Sequence, residues 1–145
     1  MAVTVNRMHP RAVGRFHAFL VGATVPLFLG AWLTDDAYWS SHQIEWSNFA
    51  SWLIIGGMVF GTGALLCAVI DLLRAGARGR GSLILTVVLL AVWLTGFFDA
   101  LIHSRDAWAV MPTGLVLSCI AALLACVAAW IAFSQLRTSA AGDVP

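Results

Sequence analysis

A chain of 145 residues fits one compact unit, yet 61% of it is hydrophobic and only 10% is charged. With a mean hydropathy of +0.90, so few charged side chains cannot cover the apolar ones in water, which excludes an ordinary soluble domain and makes lipid the natural solvent. The net charge of +1 gives no argument for a nucleic-acid partner.

In chain order, residues 1–15 carry Arg7, Arg11 and Arg15 ahead of an apolar run, like the start of a signal peptide. Leu33-Thr34-Asp35-Asp36 stands where a small-residue cleavage pattern is expected, so the run is expected to be a retained membrane helix. Four apolar segments follow: Phe16–Leu33, Phe49–Leu73, Ser82–Ile102 and Met111–Leu136. Each holds about 18 to 26 residues, enough at 1.5 Å per residue to cross a hydrocarbon core of roughly 30 Å. The predicted fold is an all-α integral membrane four-helix bundle, up-down-up-down, in a single domain over 16–136. A polar tail, 137–145, is expected to be disordered and cytoplasmic.

Arg7, Arg11, Arg15, Arg74, Arg78, Arg80 and Arg137 fall on one side of this topology and Arg105 alone on the other. The positive-inside rule then makes both termini cytoplasmic. Trp39, Trp46 and Trp108, flanked by Trp32 and Trp52, match an interfacial aromatic belt on the outer side. The outer loop Asp35 to Asn48 is expected to lie along the membrane surface, with Ser47 or Asn48 capping helix two. Pro112 suits the first turn of helix four. Pro26 is expected to kink helix one and free a carbonyl near Gly22, with Thr24 at hand to satisfy it. Gly57 and Gly61 stand in GxxxG spacing, which suits close packing inside the bundle or a contact with another subunit. Cys67, Cys119 and Cys126 lie in apolar runs and read as buried small residues, not as a disulfide or zinc framework.

Ionisable residues at membrane depth are costly and carry a functional hypothesis by default. The outer group is Asp35, Asp36, His42, Glu45, Asp99, His103, Arg105 and Asp106. Asp99, His103 and Asp106 share one face if helix three continues that far. A carboxylate one turn from a histidine can orient the imidazole, and with Asp35, Asp36 and His42 the group could bind a divalent cation or pass protons. The alternative is an interfacial ion-pair network in which Arg105 pairs with Asp35, Asp36 or Asp106. The inner group is His9, Arg11, Arg15, His17, Asp71 and Arg74; within it His17, Asp71 and Arg74 suggest a helix-end ion pair or a lipid head-group site.

Haem is the cofactor to test in such a bundle. His17 and His103 lie on opposite faces, more than ~20 Å apart, and cannot share one iron. His42 with His103, or His9 with His17, stay open geometrically, though none lies in mid-helix. No cofactor is assigned, with haem and a divalent cation the alternatives. No phosphate loop, nucleophile elbow, HExxH or CxxC is present, which argues against a self-contained enzyme.

Several stretches resemble the bacterial predicted membrane proteins grouped as domain of unknown function 2231. They are His17-Ala18-Phe19-Leu20, Pro26-Leu27-Phe28-Leu29, Thr34-Asp35-Asp36-Ala37-Tyr38, Trp46-Ser47-Asn48-Phe49-Ala50-Ser51-Trp52-Leu53, Ile70-Asp71 and His103-Ser104-Arg105-Asp106. The resemblance covers about residues 9–136. It implies a four-helix inner-membrane protein and an association with redox systems, without naming a role. The favoured reading is a non-catalytic accessory subunit or anchor that docks another membrane protein, a periplasmic protein or a second copy of itself. The alternative is a redox, ion- or proton-handling protein using the outer histidine and aspartates.

Overall fold

The computed structural model describes residues 14–74, 80–105 and 107–142. They form four helices, α1 (Arg15–Ser41), α2 (Ile44–Arg74), α3 (Arg80–His103) and α4 (Thr113–Gly142), with a short 3₁₀ turn at Ala107–Ala109 before α4. All four are long and apolar enough to cross a membrane. The 31 residues of α2 extend to about 46 Å, longer than the hydrocarbon core, so helix ends reach the polar zone.

α1 packs against α2 and α4, and α3 against the same two helices. Contacts fix the directions. Along α1 and α2, Leu20 meets Gly63, Thr24 meets Gly61, Phe28 meets Gly57 and Gly30 meets Leu53, so these helices run antiparallel. Met58 reaches Gly96 across α2 and α3, and Gln135 reaches Gly81 across α4 and α3, where its side-chain N–H donates to the Gly81 carbonyl at 3.0 Å.

Small residues govern the packing. A Cβ on Gly57 would lie 2.8 Å from the Phe28 ring, and one on Gly96 would lie 2.9 Å from it. Phe28, fully buried, therefore fills a hole that two glycines on α2 and α3 leave open. α4 contributes Ala121, Ala122, Ala125, Ala128, Ala129 and Ala132 to the same core. The Gly57–Gly61 pair is thus used within the chain, on α1.

Several expectations are corrected. Asp35 to Asn48 is not a surface loop, because α1 runs on to Ser41 and α2 starts at Ile44. The turn is tight because His42 adopts the left-handed region (φ 58°) and its N–H donates to the Tyr38 carbonyl at 2.8 Å, closing the helix end. Ser47 and Asn48 therefore sit inside α2 rather than cap it. Pro112 stands just ahead of α4, its carbonyl accepting the Val116 N–H at 3.2 Å. α1 continues through Pro26, and the Thr24 hydroxyl donates to Val21 O at 2.7 Å, not to Gly22. The three cysteines are free but not fully buried, and Cys126 is exposed on the apolar surface. α4 extends past Leu136 to Gly142, into the tail expected to be disordered. His9, Asp106 and the linker arginine Arg78 lie outside the described residues.

A buried aspartate–histidine–aspartate centre

The helical period and the tight α1–α2 turn bring three ionisable side chains together at one end of the bundle. Asp35 stands near the end of α1, and Thr34 beside it turns its hydroxyl back onto the Gly30 and Ala31 carbonyls, both at 2.9 Å. Asp99 and His103 are one turn apart on α3, which ends at His103. His103 Nε2 lies 2.8 Å from Asp35 Oδ1, across the bundle. His103 Nδ1 lies 3.0 Å from the main-chain carbonyl of Asp99 and 3.1 Å from its Oδ1. The side chains are almost wholly enclosed: 2% of His103 and 0% of either aspartate is exposed.

A main-chain carbonyl only accepts, so Nδ1 carries the hydrogen of its bond to Asp99 O. An ionised carboxylate also only accepts. The 2.8 Å approach of Nε2 to Asp35 therefore requires a second proton, on the ring or on the Asp35 carboxyl, or a cation bound by both atoms. Even with an imidazolium, two carboxylates leave a net charge of −1 in a low-dielectric site, where an uncompensated charge is costly. The acceptors confirm the deficit: Asp35 Oδ2 and both carboxylate oxygens of Asp99 accept no well-formed hydrogen bond among the described residues. The Asp99 Oδ1 contact is close, but the Nδ1 hydrogen serves the carbonyl instead.

The rest of the outer group stays at the surface. Asp36, His42, Glu45 and Arg105 are exposed, and the His42 ring lies 6.3 Å from Trp108. Asp35, one of the three carboxylates considered as a partner for Arg105, is engaged by His103. The chain leaves the helix after His103, so α3 does not carry the i, i+4, i+7 face as far as Asp106. Arg105 and His103 instead line an open groove of about 500 Å³ with Glu45, Ser47, Asn48 and Ser51 at the start of α2. That polar groove was missed by sequence reasoning, although Ser47 and Ser51 at i, i+4 were its signal. Gly114 was missed too. A Cβ there would come within 2.9 Å of His103 Cε1 and 2.7 Å of Val110, so the glycine makes room for the imidazole.

At the other end His17 is buried and faces Asp71, with Nδ1 and Oδ2 3.7 Å apart. That is too far for a hydrogen bond, and neither ring nitrogen has a partner among the described residues. The side chain of Arg74 lies outside them. Asp35 follows His17 by about five turns of α1, some 27 Å at 1.5 Å per residue. The two histidine centres are therefore at opposite ends, and no haem spans them.

Four membrane-length apolar helices around enclosed polar side chains define a multi-pass integral membrane protein. The chain belongs to the predicted membrane protein family described as domain of unknown function 2231, which matches residues 15–133. The match includes His17, Asp35, Asp71, Asp99 and His103. No curated protein and no solved structure matches the chain.

Proposed function

We propose that this protein is a membrane-embedded cation-binding protein whose working centre is Asp35, Asp99 and His103. The observation that carries the reading is the set of three enclosed ionisable side chains whose acceptor oxygens outnumber their donors. The open groove lined by Glu45, Ser47, Asn48, Ser51 and Arg105 adjoins the centre at His103. The reading includes up-down-up-down topology with both termini on the cytoplasmic side of a bacterial inner membrane. It is supported by Arg15, Arg74, Arg80 and Arg137 at one end of antiparallel helices and Arg105 at the other. The groove then opens to the periplasm.

The test is the thermal stability of the purified protein across a series of cations and of pH. A ligand that binds the folded state alone stabilises it, by about 2.7 kcal/mol at a hundredfold excess over Kd. The dependence should vanish in the double variant Asp35→Asn, Asp99→Asn. A wild type indifferent to every cation and to pH, or a variant that responds equally, would sink the reading.

A second reading, the accessory subunit or anchor of a larger membrane complex, draws on a different observation. An apolar groove of about 740 Å³ opens between α1 and α4, lined by Ala18, Phe19, Gly22, Val25, Ala129 and Phe133 among others. Such a groove suits a helix of another membrane protein or of a second copy. Extraction in mild detergent should then bring a stoichiometric partner with the chain, and a partner-free monomer would count against it.

A further inference from the structure

The structure points to the identity of that cation: we propose that Asp35, Asp99 and His103 bind one divalent first-row transition-metal ion, of the zinc, iron or manganese class. This rests on the cation-binding reading above and narrows it. One donor atom from each of the three residues lies within 4.8 Å of the others, so one ion reaches all three once the Asp99 carboxylate, now 3.1 Å from Nδ1, swings toward the Nε2 side of the ring. The Nε2–Oδ1 distance of 2.8 Å would open to about 3.3 Å, the separation two donors adopt when bound tetrahedrally at 2.0–2.1 Å.

Charge selects the valence. A dication against two carboxylates and a neutral imidazole sums to zero, whereas a monovalent ion leaves −1 in an enclosed site. Donor chemistry selects the class. Imidazole is a poor choice for magnesium or calcium, and two carboxylate donors without a thiolate do not suit copper(I).

The surroundings of the ring fit the same role. Metal-bound histidines usually donate the other ring N–H to a carbonyl or carboxylate, which fixes the tautomer. Here Nδ1 donates to the Asp99 main-chain carbonyl at 3.0 Å, leaving Nε2 as the donor atom toward Asp35. An unpartnered carboxylate oxygen of Asp99 is then a coordinating atom rather than an orphan. Three protein donors leave at least one position for water or a small ligand.

The test uses tag-free full-length protein in detergent, stripped by chelation and offered Zn²⁺ or Mn²⁺. One ion per chain should bind, and Mg²⁺ or Ca²⁺ at equal concentration should not displace it. Asp35→Asn, Asp99→Asn and His103→Gln should each weaken binding by roughly a hundredfold or more, whereas Asp36→Asn and His42→Gln should not. Because the buried variants could misfold, X-ray absorption at the zinc edge of the wild type supplies an independent readout: one imidazole, oxygen donors and no sulfur. Substoichiometric binding, a sulfur donor, displacement by Ca²⁺, or binding that depends on His42 instead of His103 would each overturn the assignment. Stability that depends on pH through Asp35 and Asp99 without any metal binding would overturn it while leaving the broader cation-binding reading in place.

Discussion

At the scale of single residues, the centre depends on neighbours that bear no charge. Gly114 is the clearest case, because any side chain there presses on both Val110 and the imidazole of His103. Gly114→Ala is expected to destabilise the fold by about 1–3 kcal/mol, the usual cost of overpacking. It should also lower cation-dependent stabilisation, since the ring must move away from Asp35. Thermal unfolding with and without the bound cation checks both parts; an alanine variant with wild-type cation dependence would show that the ring has room to spare. The exposed His42 matters differently, through its left-handed backbone at the end of α1 rather than through its ring.

At the scale of elements, one aromatic ring in a glycine-lined hole joins α1 to α2 and α3. Gly57→Ala or Gly96→Ala must displace Phe28, and each is expected to cost about 1–3 kcal/mol. At Gly61 a Cβ would meet Thr24 at 3.9 Å, an ordinary contact, so Gly61→Ala should be close to neutral. Pairing Gly57→Ala with Phe28→Leu should recover part of the loss, a non-additivity expected of touching residues. Denaturant titration of the four proteins in mixed micelles measures this, and strict additivity would contradict the packing described here. α2 and α3 are further joined on their outer surface, where the indole N–H of Trp93 donates to the Thr62 hydroxyl at 3.0 Å. The ring of Trp93 also stacks on Phe97, with centroids 5.4 Å apart.

At the scale of the whole molecule, the proposed orientation puts the Asp35–Asp99–His103 end outside and the His17–Asp71 end inside. In a background with Cys67, Cys119 and Cys126 replaced by alanine, His42→Cys should react with a membrane-impermeant thiol reagent added to intact cells' periplasm. Arg137→Cys should react only after the membrane is opened. The reverse pattern would invert the topology and turn the groove toward the cytoplasm. The four spanning helices are legible in the sequence, since apolar runs are local properties. The helix ends were less legible, because polar residues such as Asp35, Asp36, Ser40 and Ser41 suggest a loop. Nothing local signals that the helix carries them beyond the hydrocarbon.

Hydropathy and periodicity, summed along the chain, by themselves determined a membrane protein with four spanning helices, and the quoted polar stretches already pointed to its family. They also separated His17 from His103, because rise per residue and bilayer thickness suffice for that. Only the tertiary structure decided which outer residues meet. Asp35 is far from Asp99 and His103 in sequence and reaches His103 across the bundle, from a helix that is not α3's packing neighbour. It likewise decided that Gly57 and Gly61 face α1, that Asp35 is engaged by His103, and that three carboxylate oxygens are enclosed without donors among the described residues. The reason is physical: spanning a membrane is a property of each segment, whereas a binding centre is made by side-chain distances between segments, and those follow from packing.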